Sequence, residues 1–165
     1  MDTIQLTLIW ERTNLHEVCF KACIPQTSCL QVFHITQSLF IANVDTSDKP
    51  GSHWVAFYFT KDHEGEFFDS YGSPPNKYSE TFTTFLNNNS NQLTFNTVTL
   101  QNIYLKVCGH YWLYFALYCS RQIGMRTIVH RFSKNTSKND SLVKQHFPIS
   151  FPKYRTDVNE QRAQH

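Results

Sequence analysis

From Trp54 to Phe59 the segment HWVAFYF (53–59) is aromatic or aliphatic at every position, with no polar residue on either face. A strand of that kind must be covered on both sides, so it belongs inside a sheet with further layers above and below. GEFFDS (65–70) follows across the charged turn KDHEG, and YGSPP closes it, which predicts a hairpin and then a hard stop. LFIANV (39–44) reads as another buried strand, and the alternating LTFNTVTL (93–100) as one more. SETFTTFL (79–86) opens on a capping serine and places Phe82, Phe85 and Leu86 on one side, the pattern of a short helix. NNNSNQ (87–92) reads as a surface loop.

CGHYWLYFALYCSRQI (108–123) is long and aromatic enough for a buried helix, with Gly124 as its expected stop. MRTIVHRF and NDSLVKQHF predict two further short surface helices. Strands and helices that do not alternate as βαβ units argue for an α+β fold. With 165 residues, no repeat and no Pro/Gly linker, a single domain is expected.

Composition removes several classes. At 41% hydrophobic and 17% charged residues the chain is not a disordered polymer. Its run YWLYFALYC (111–119) falls well short of the roughly 20 residues a bilayer requires, so no membrane partner is expected. The opening MDTIQLTLIW lacks a basic n-region and a small-residue cleavage site, so an intracellular chain is expected, not a secreted one. Its five cysteines should then be reduced thiols. The net charge of +2 divides into −4 over residues 1–120 and +6 over residues 121–165. The basic C-terminal quarter can steer toward polyanions such as DNA, or form a solvated surface.

Three residues stand in an order that carries chemistry. His53 opens the central strand and Asp69 closes its neighbour, so hairpin pairing would bring the two side chains within reach. A carboxylate there would fix the imidazole tautomer and stabilise the imidazolium. Cys108 begins the buried helix, where unpaired amides and the helix dipole favour a thiolate. Gly109 leaves room for a substrate carbonyl, and Gln101, seven residues upstream of Cys108, can donate to an oxyanion beside the Cys108 amide. Together they are the parts of an acyl-transfer site.

Other residues fit this chemistry less well. His110 lies two positions from Cys108 on a helix, so their side chains diverge by ~200° and a direct hydrogen bond is hard. Cys119 reads as a small buried hydrophobe. Cys19, Cys23, Cys29 and His34 supply zinc-capable ligands, but C-x3-C-x5-C-x4-H matches no common finger or knuckle, and no metal is expected.

KPGSHWVAFYF, GEFFDSYG, and LQ followed at the right spacing by VCGHYW closely resemble the adenovirus-type cysteine proteases, the adenain family. The wording is most similar to copies carried by Maverick/Polinton-type transposons and related viruses, and the clan includes the SUMO-specific proteases. The resemblance runs from about Leu39 to Phe147; residues 1–38 match poorly and 148–165 form a basic polar tail.

The resemblance implies a papain-like core with a central mixed or antiparallel sheet and the nucleophile at the N-terminus of a buried helix. It implies Cys108 as nucleophile, His53 as base, Asp69 as orienting acid, Gln101 as oxyanion donor, and Trp54 and Gly109 beside the substrate. It also implies endopeptidase cleavage near small residues, often after Gly, in capsid or core precursors, by a monomer in the nucleus or virion. No cofactor is required, although DNA or an activating peptide serves that role in the family. Within the clan, the rival is a protease for ubiquitin-like modifiers. Outside it, the rival is a decayed module that binds capsid or nucleic acid.

Overall fold

The computed structural model describes residues 19–23, 37–44 and 53–148. Five strands form one mixed sheet in chain order: β1 (Cys19–Cys23), β2 (Ser38–Asn43), β3 (Trp54–Phe59), β4 (Glu64–Phe68) and β5 (Gln92–Phe95). The β2–β3 and β3–β4 pairs are antiparallel, while β1 and β5 each add in parallel at an edge. The expected hairpin forms, with Ala56 opposite Phe68 and Phe59 opposite Gly65. Its turn closes through Thr60 N–H to the Glu64 carbonyl at 2.9 Å, with His63 in the left-handed region at φ 59°.

Both faces of β3 are covered, as its composition demands. Leu39, Ile41, Trp54, Ala56, Tyr58 and Phe68 face a core built with helix α2 (Cys108–Ser120). Phe40, Ala42, Val55, Phe57, Phe59 and Phe67 face the other way, onto Phe82, Phe85 and Leu86 of α1 (Glu80–Asn89). The alternation along each strand is the two-residue period of a pleated sheet, here with apolar residues assigned to both sides. Rings lock the two layers. Phe68 stacks on Phe115 with centroids 4.6 Å apart and planes 3° from parallel, and Phe57 meets Phe82 edge-on at 5.1 Å.

Helix α2 is buried nearly all round, the property of a helix enclosed by the fold rather than laid on its surface. It ends earlier than Gly124. Gln122 takes the left-handed position at φ 59°, its N–H donates to the Cys119 carbonyl, and the Ile123 N–H reaches the Tyr118 carbonyl at 3.0 Å. That is the Schellman pattern, closed here by a glutamine. Gly124, at φ −69°, instead precedes α3 (Met125–His130), and α4 (Thr136–His146) follows under an Asn135 cap.

Two further expectations are corrected. Helix α1 continues through Asn87–Asn89, where the Asn89 and Ser90 side chains reach back to donate to the carbonyls of Phe85 and Leu86, each at 2.7 Å, and reinforce its last turn. Strand β5 stops at Phe95 instead of running to residue 100, because the Asn96 side chain takes up the backbone of Asp69. Strand β1 lies in the stretch that reads weakest in the sequence, and it pairs with β2 from Cys19↔Ser38 to Cys23↔Ala42. Residues 29 and 34 of the considered zinc set lie outside the described residues, as does the tail from 149 onward.

Candidate active site

His53 and Asp69 meet where β3 begins and β4 ends, with Nε2 of the imidazole 2.5 Å from Oδ1 of the carboxylate. Both residues are buried, Asp69 completely. Three more donors hold the carboxylate: the Tyr71 amide to Oδ1 at 3.0 Å, and the Ser73 amide at 2.9 Å and Tyr78 hydroxyl at 2.8 Å to Oδ2. The chain can wrap the carboxylate this tightly because it turns at once. Gly72 N–H returns to the Asp69 carbonyl at 2.9 Å, and Gly72 sits at φ +70°.

The electrostatics follow from this geometry. Burial tends to push the Asp69 carboxyl up, but the His53 contact and the two backbone amides outweigh it and hold the group below its usual range. For His53, burial opposes the charged form, yet the Asp69 hydrogen bond and nearby Cys108 raise the imidazole to about 9. His53 Nδ1 is buried and without a hydrogen-bond partner among the described residues, which leaves it as the ring nitrogen available to Cys108.

Cys108 is the first residue of α2 and is partly exposed, whereas Cys119 is fully buried with its thiol pushed well up by that burial. The first amides of a helix have no partner within it, so the N–H groups around Cys108 open toward the site. Gly109 is buried directly behind it. Trp54 is 5% exposed and packs in the α2-side core, next in sequence to His53.

Gln101 is fully buried and oriented by Ser70, whose carbonyl accepts the Gln101 N–H at 3.1 Å and whose hydroxyl donates to Oε1 at 2.7 Å. Its Nε2 donates to the Tyr71 hydroxyl at 3.2 Å and to the Leu105 carbonyl. The Tyr71 ring lies on His53, with centroids 4.5 Å apart. Tyr71 therefore touches three of the four residues singled out by sequence: Asp69 through its amide, His53 through its ring and Gln101 through its hydroxyl.

The loop leading to Cys108 is anchored from behind. Tyr111 Oη lies 2.9 Å from both the Leu100 carbonyl and Asp140 Oδ1, and Asn139 Nδ2 donates to the same Leu100 carbonyl at 3.0 Å. Asp140 also accepts the Asn102 amide. Helix α4 thus braces the loop leading to Cys108, and its Asn139, Asp140 and Val143 are buried, not surface residues. The loop presents Ile103 and Tyr104 to solvent, at 66% and 87% exposure.

Sequence reading missed Ser70, Tyr71, Tyr78, Asn96 and Asp140. Ser70 and Tyr71 were legible only as neighbours of Asp69 in a turn, and the other three carry no local signal. Among the described residues no cluster of His, Cys, Asp or Glu could hold a metal, and no helix is long and apolar enough to cross a membrane.

This is an α+β fold with a mixed sheet and a buried helix that begins at a cysteine, the fold of a viral protease of known structure. The chain is similar to the crystal structure of selenomethionine-labelled ASFV pS273R protease, with a TM-score of 0.52 at 16% identity over 87% of this chain and 65% of that one. A second crystal structure of ASFV pS273R protease aligns at TM-score 0.42 and 19% identity, over 66% of this chain and 42% of that one. The chain therefore spans about two thirds of that protease or less. No family model and no curated protein matches the sequence.

Proposed function

We propose that this chain is a cysteine endopeptidase with Cys108 as nucleophile, His53 as acid and base, Asp69 as the group that orients it, and Gln101 on the oxyanion side. The observation that carries the reading is the buried His53–Asp69 contact at 2.5 Å beside a cysteine that opens a helix. The similarity to a protease fold supports it.

In this reading the Cys108 sulfur attacks the scissile carbonyl, and charge gathers on the carbonyl oxygen near the α2 amides. An imidazole held charged up to about 9 is the acid that protonates the leaving amine. Once that proton has left, His53 takes one from water, which attacks the thioester. Asp69 remains ionised throughout and keeps the ring in place. The finer reading follows the resemblance: an adenovirus-type enzyme of a virus or transposon, cutting near small or Gly residues in capsid or core precursors. The basic excess after residue 120 fits DNA as an activator.

The test is turnover of a Gly-containing fluorogenic peptide by the full chain and by Cys108→Ala. We expect cleavage by the first alone. Equal cleavage by both would overturn the assignment, and salt-sensitive DNA binding by a chain that never cleaves would favour the binding module instead.

A further inference from the structure

Asn139 and Asp140 are the two polar residues that α4 buries, each only 2% exposed. A carboxylate out of water is costly unless donors hold it. Burial pushes the Asp140 carboxyl up from its ordinary value, and the Tyr111 hydroxyl, the Asn102 amide and nearby Lys144 work against that. Both hydrogen-bond donors belong to the stretch that carries Gln101 and Cys108: Tyr111 Oη at 2.9 Å and the Asn102 N–H at 3.3 Å. Asn139 Nδ2 donates to the Leu100 carbonyl at 3.0 Å. The pair therefore grips both peptide groups that flank Gln101. The Gln101 N–H is held in turn by the Ser70 carbonyl at 3.1 Å.

We propose that Asp140, together with Asn139, is a positioning residue for the oxyanion site: by fixing the peptides on either side of Gln101, it sets where the Gln101 side-chain amide is presented. The inference rests on the peptidase reading above, in which Gln101 stands on the oxyanion side. The two peptides around a residue set the direction of its Cα–Cβ bond, so a clamp on both aims the side chain before any rotamer is chosen. The Ser70 hydroxyl donates to Oε1 at 2.7 Å, which leaves Nε2 as the donor end.

Tyr111 ties the same clamp to the nucleophile. It stands three residues along α2 from Cys108, and its one hydroxyl hydrogen is shared between Asp140 Oδ1 and the Leu100 carbonyl, both 2.9 Å away. Donor and nucleophile thus have a common anchor in α4. An apolar pair would fill the same space, whereas a carboxylate and an amide also fix direction, at a cost in desolvation.

The experiment compares the full chain with Asp140→Ala, Asp140→Asn, Gln101→Ala and the double variant Gln101→Ala/Asp140→Ala. A Gly-containing fluorogenic peptide gives kcat and KM, the matching peptide aldehyde reports affinity for the oxyanion adduct, and iodoacetamide reports Cys108 reactivity, because alkylation forms no oxyanion. Asp140→Ala should lower kcat by roughly 10–10²-fold with KM little changed, and weaken the aldehyde by a similar factor. Asp140→Asn keeps an oxygen acceptor and should lose less, roughly 3–10-fold. Cys108 alkylation should keep its rate and pH profile in both. On Gln101→Ala, removing Asp140 should cost less than about twofold more. Wild-type kcat in folded Asp140→Ala, slowed alkylation that accounts for the loss, or losses that multiply in the double variant would each overturn the proposal. If Asp140→Ala does not fold, Asp140→Asn decides, and wild-type kcat there overturns it. Wild-type kcat in Gln101→Ala removes Gln101 as the donor, and a chain that cleaves no better than Cys108→Ala rejects the peptidase reading; either result takes the Asp140 role with it.

Discussion

Asn96 grips the backbone of Asp69 from both sides: the Asp69 N–H donates to Asn96 Oδ1 at 2.9 Å, and Asn96 Nδ2 donates to the Asp69 carbonyl at 2.7 Å. A side-chain amide here replaces the strand partner that β5 would otherwise supply, and it does so at the residue that orients His53. Fold and site are joined at this pair.

Asn96→Ala should therefore cost more than an average polar substitution. It leaves the buried Asp69 N–H unpaired, a penalty of about 1–3 kcal/mol if no water reaches it, while the Asp69 carbonyl keeps only its bond from the Gly72 N–H. Chemical denaturation should show the loss, and peptide turnover should fall with it because Asp69 is released. Unchanged denaturation would mean that water replaces the amide.

Gly72 cannot be substituted freely. At φ +70°, an added Cβ would lie 2.6 Å from the Val98 carbonyl carbon, against backbone that cannot swing aside. Gly72→Ala should destabilise by about 1–3 kcal/mol through strain in the turn that wraps Asp69. Thermal denaturation measures it, and an unshifted midpoint would sink the claim.

Cys108 and Cys119 should differ sharply toward iodoacetamide. Cys108 is partly exposed beside His53, while Cys119 is sealed in the core with its thiol pushed well up. In native protein we expect alkylation at Cys108 and none at Cys119 until the chain unfolds. Mass mapping of the labelled peptides decides it, and equal labelling of both would argue against an assembled site.

The His53–Asp69 pair sets a pH window. The His53 pKa is raised from 6.5 to about 9, so its contribution to stability is complete below 6.5 and is lost as pH rises through 9. The Asp69 carboxyl is lowered from 3.8, so its contribution is present above 3.8 and is lost as pH falls through its depressed value. The two shifts share the His53–Asp69 contact and are counted once; the His53 shift, to which Cys108 also contributes, amounts to roughly 3 kcal/mol. Denaturation at pH 6 and pH 10 should show that loss in the native chain and a smaller one in Asp69→Asn. Turnover should fall through the same alkaline range as the acid for the leaving amine disappears. Identical pH dependence in Asp69→Asn would remove the pair as the cause.

Core aromatic contacts are the last test. Phe115 is fully buried and stacked on Phe68, so Phe115→Ala should cost about 3–5 kcal/mol. A loss below 1 kcal/mol would mean the layers around α2 are not closely packed.

Much of this molecule was legible from local pattern. The unbroken apolar run 54–59 dictated a strand covered on both faces, the KDHEG turn dictated its hairpin, and the aromatic run after Cys108 dictated a buried helix. Each is a matter of side-chain period and turn chemistry within a few residues. The meeting of His53 and Asp69 was legible too, because one precedes β3 and the other follows β4 in a hairpin.

Tertiary structure decided the rest. Asn96 ends β5 because it finds Asp69, 27 residues away, and the last turn of α1 is reinforced where Asn89 and Ser90 reach back to its carbonyls. Helix α2 closes at Gln122 rather than at a glycine. The orientation of the Gln101 side-chain amide depends on Ser70, Tyr71 and Leu105 arriving together. Periodicity reports which face of an element is apolar, whereas a buried polar group takes whichever partner the packed chain brings within 3 Å of it.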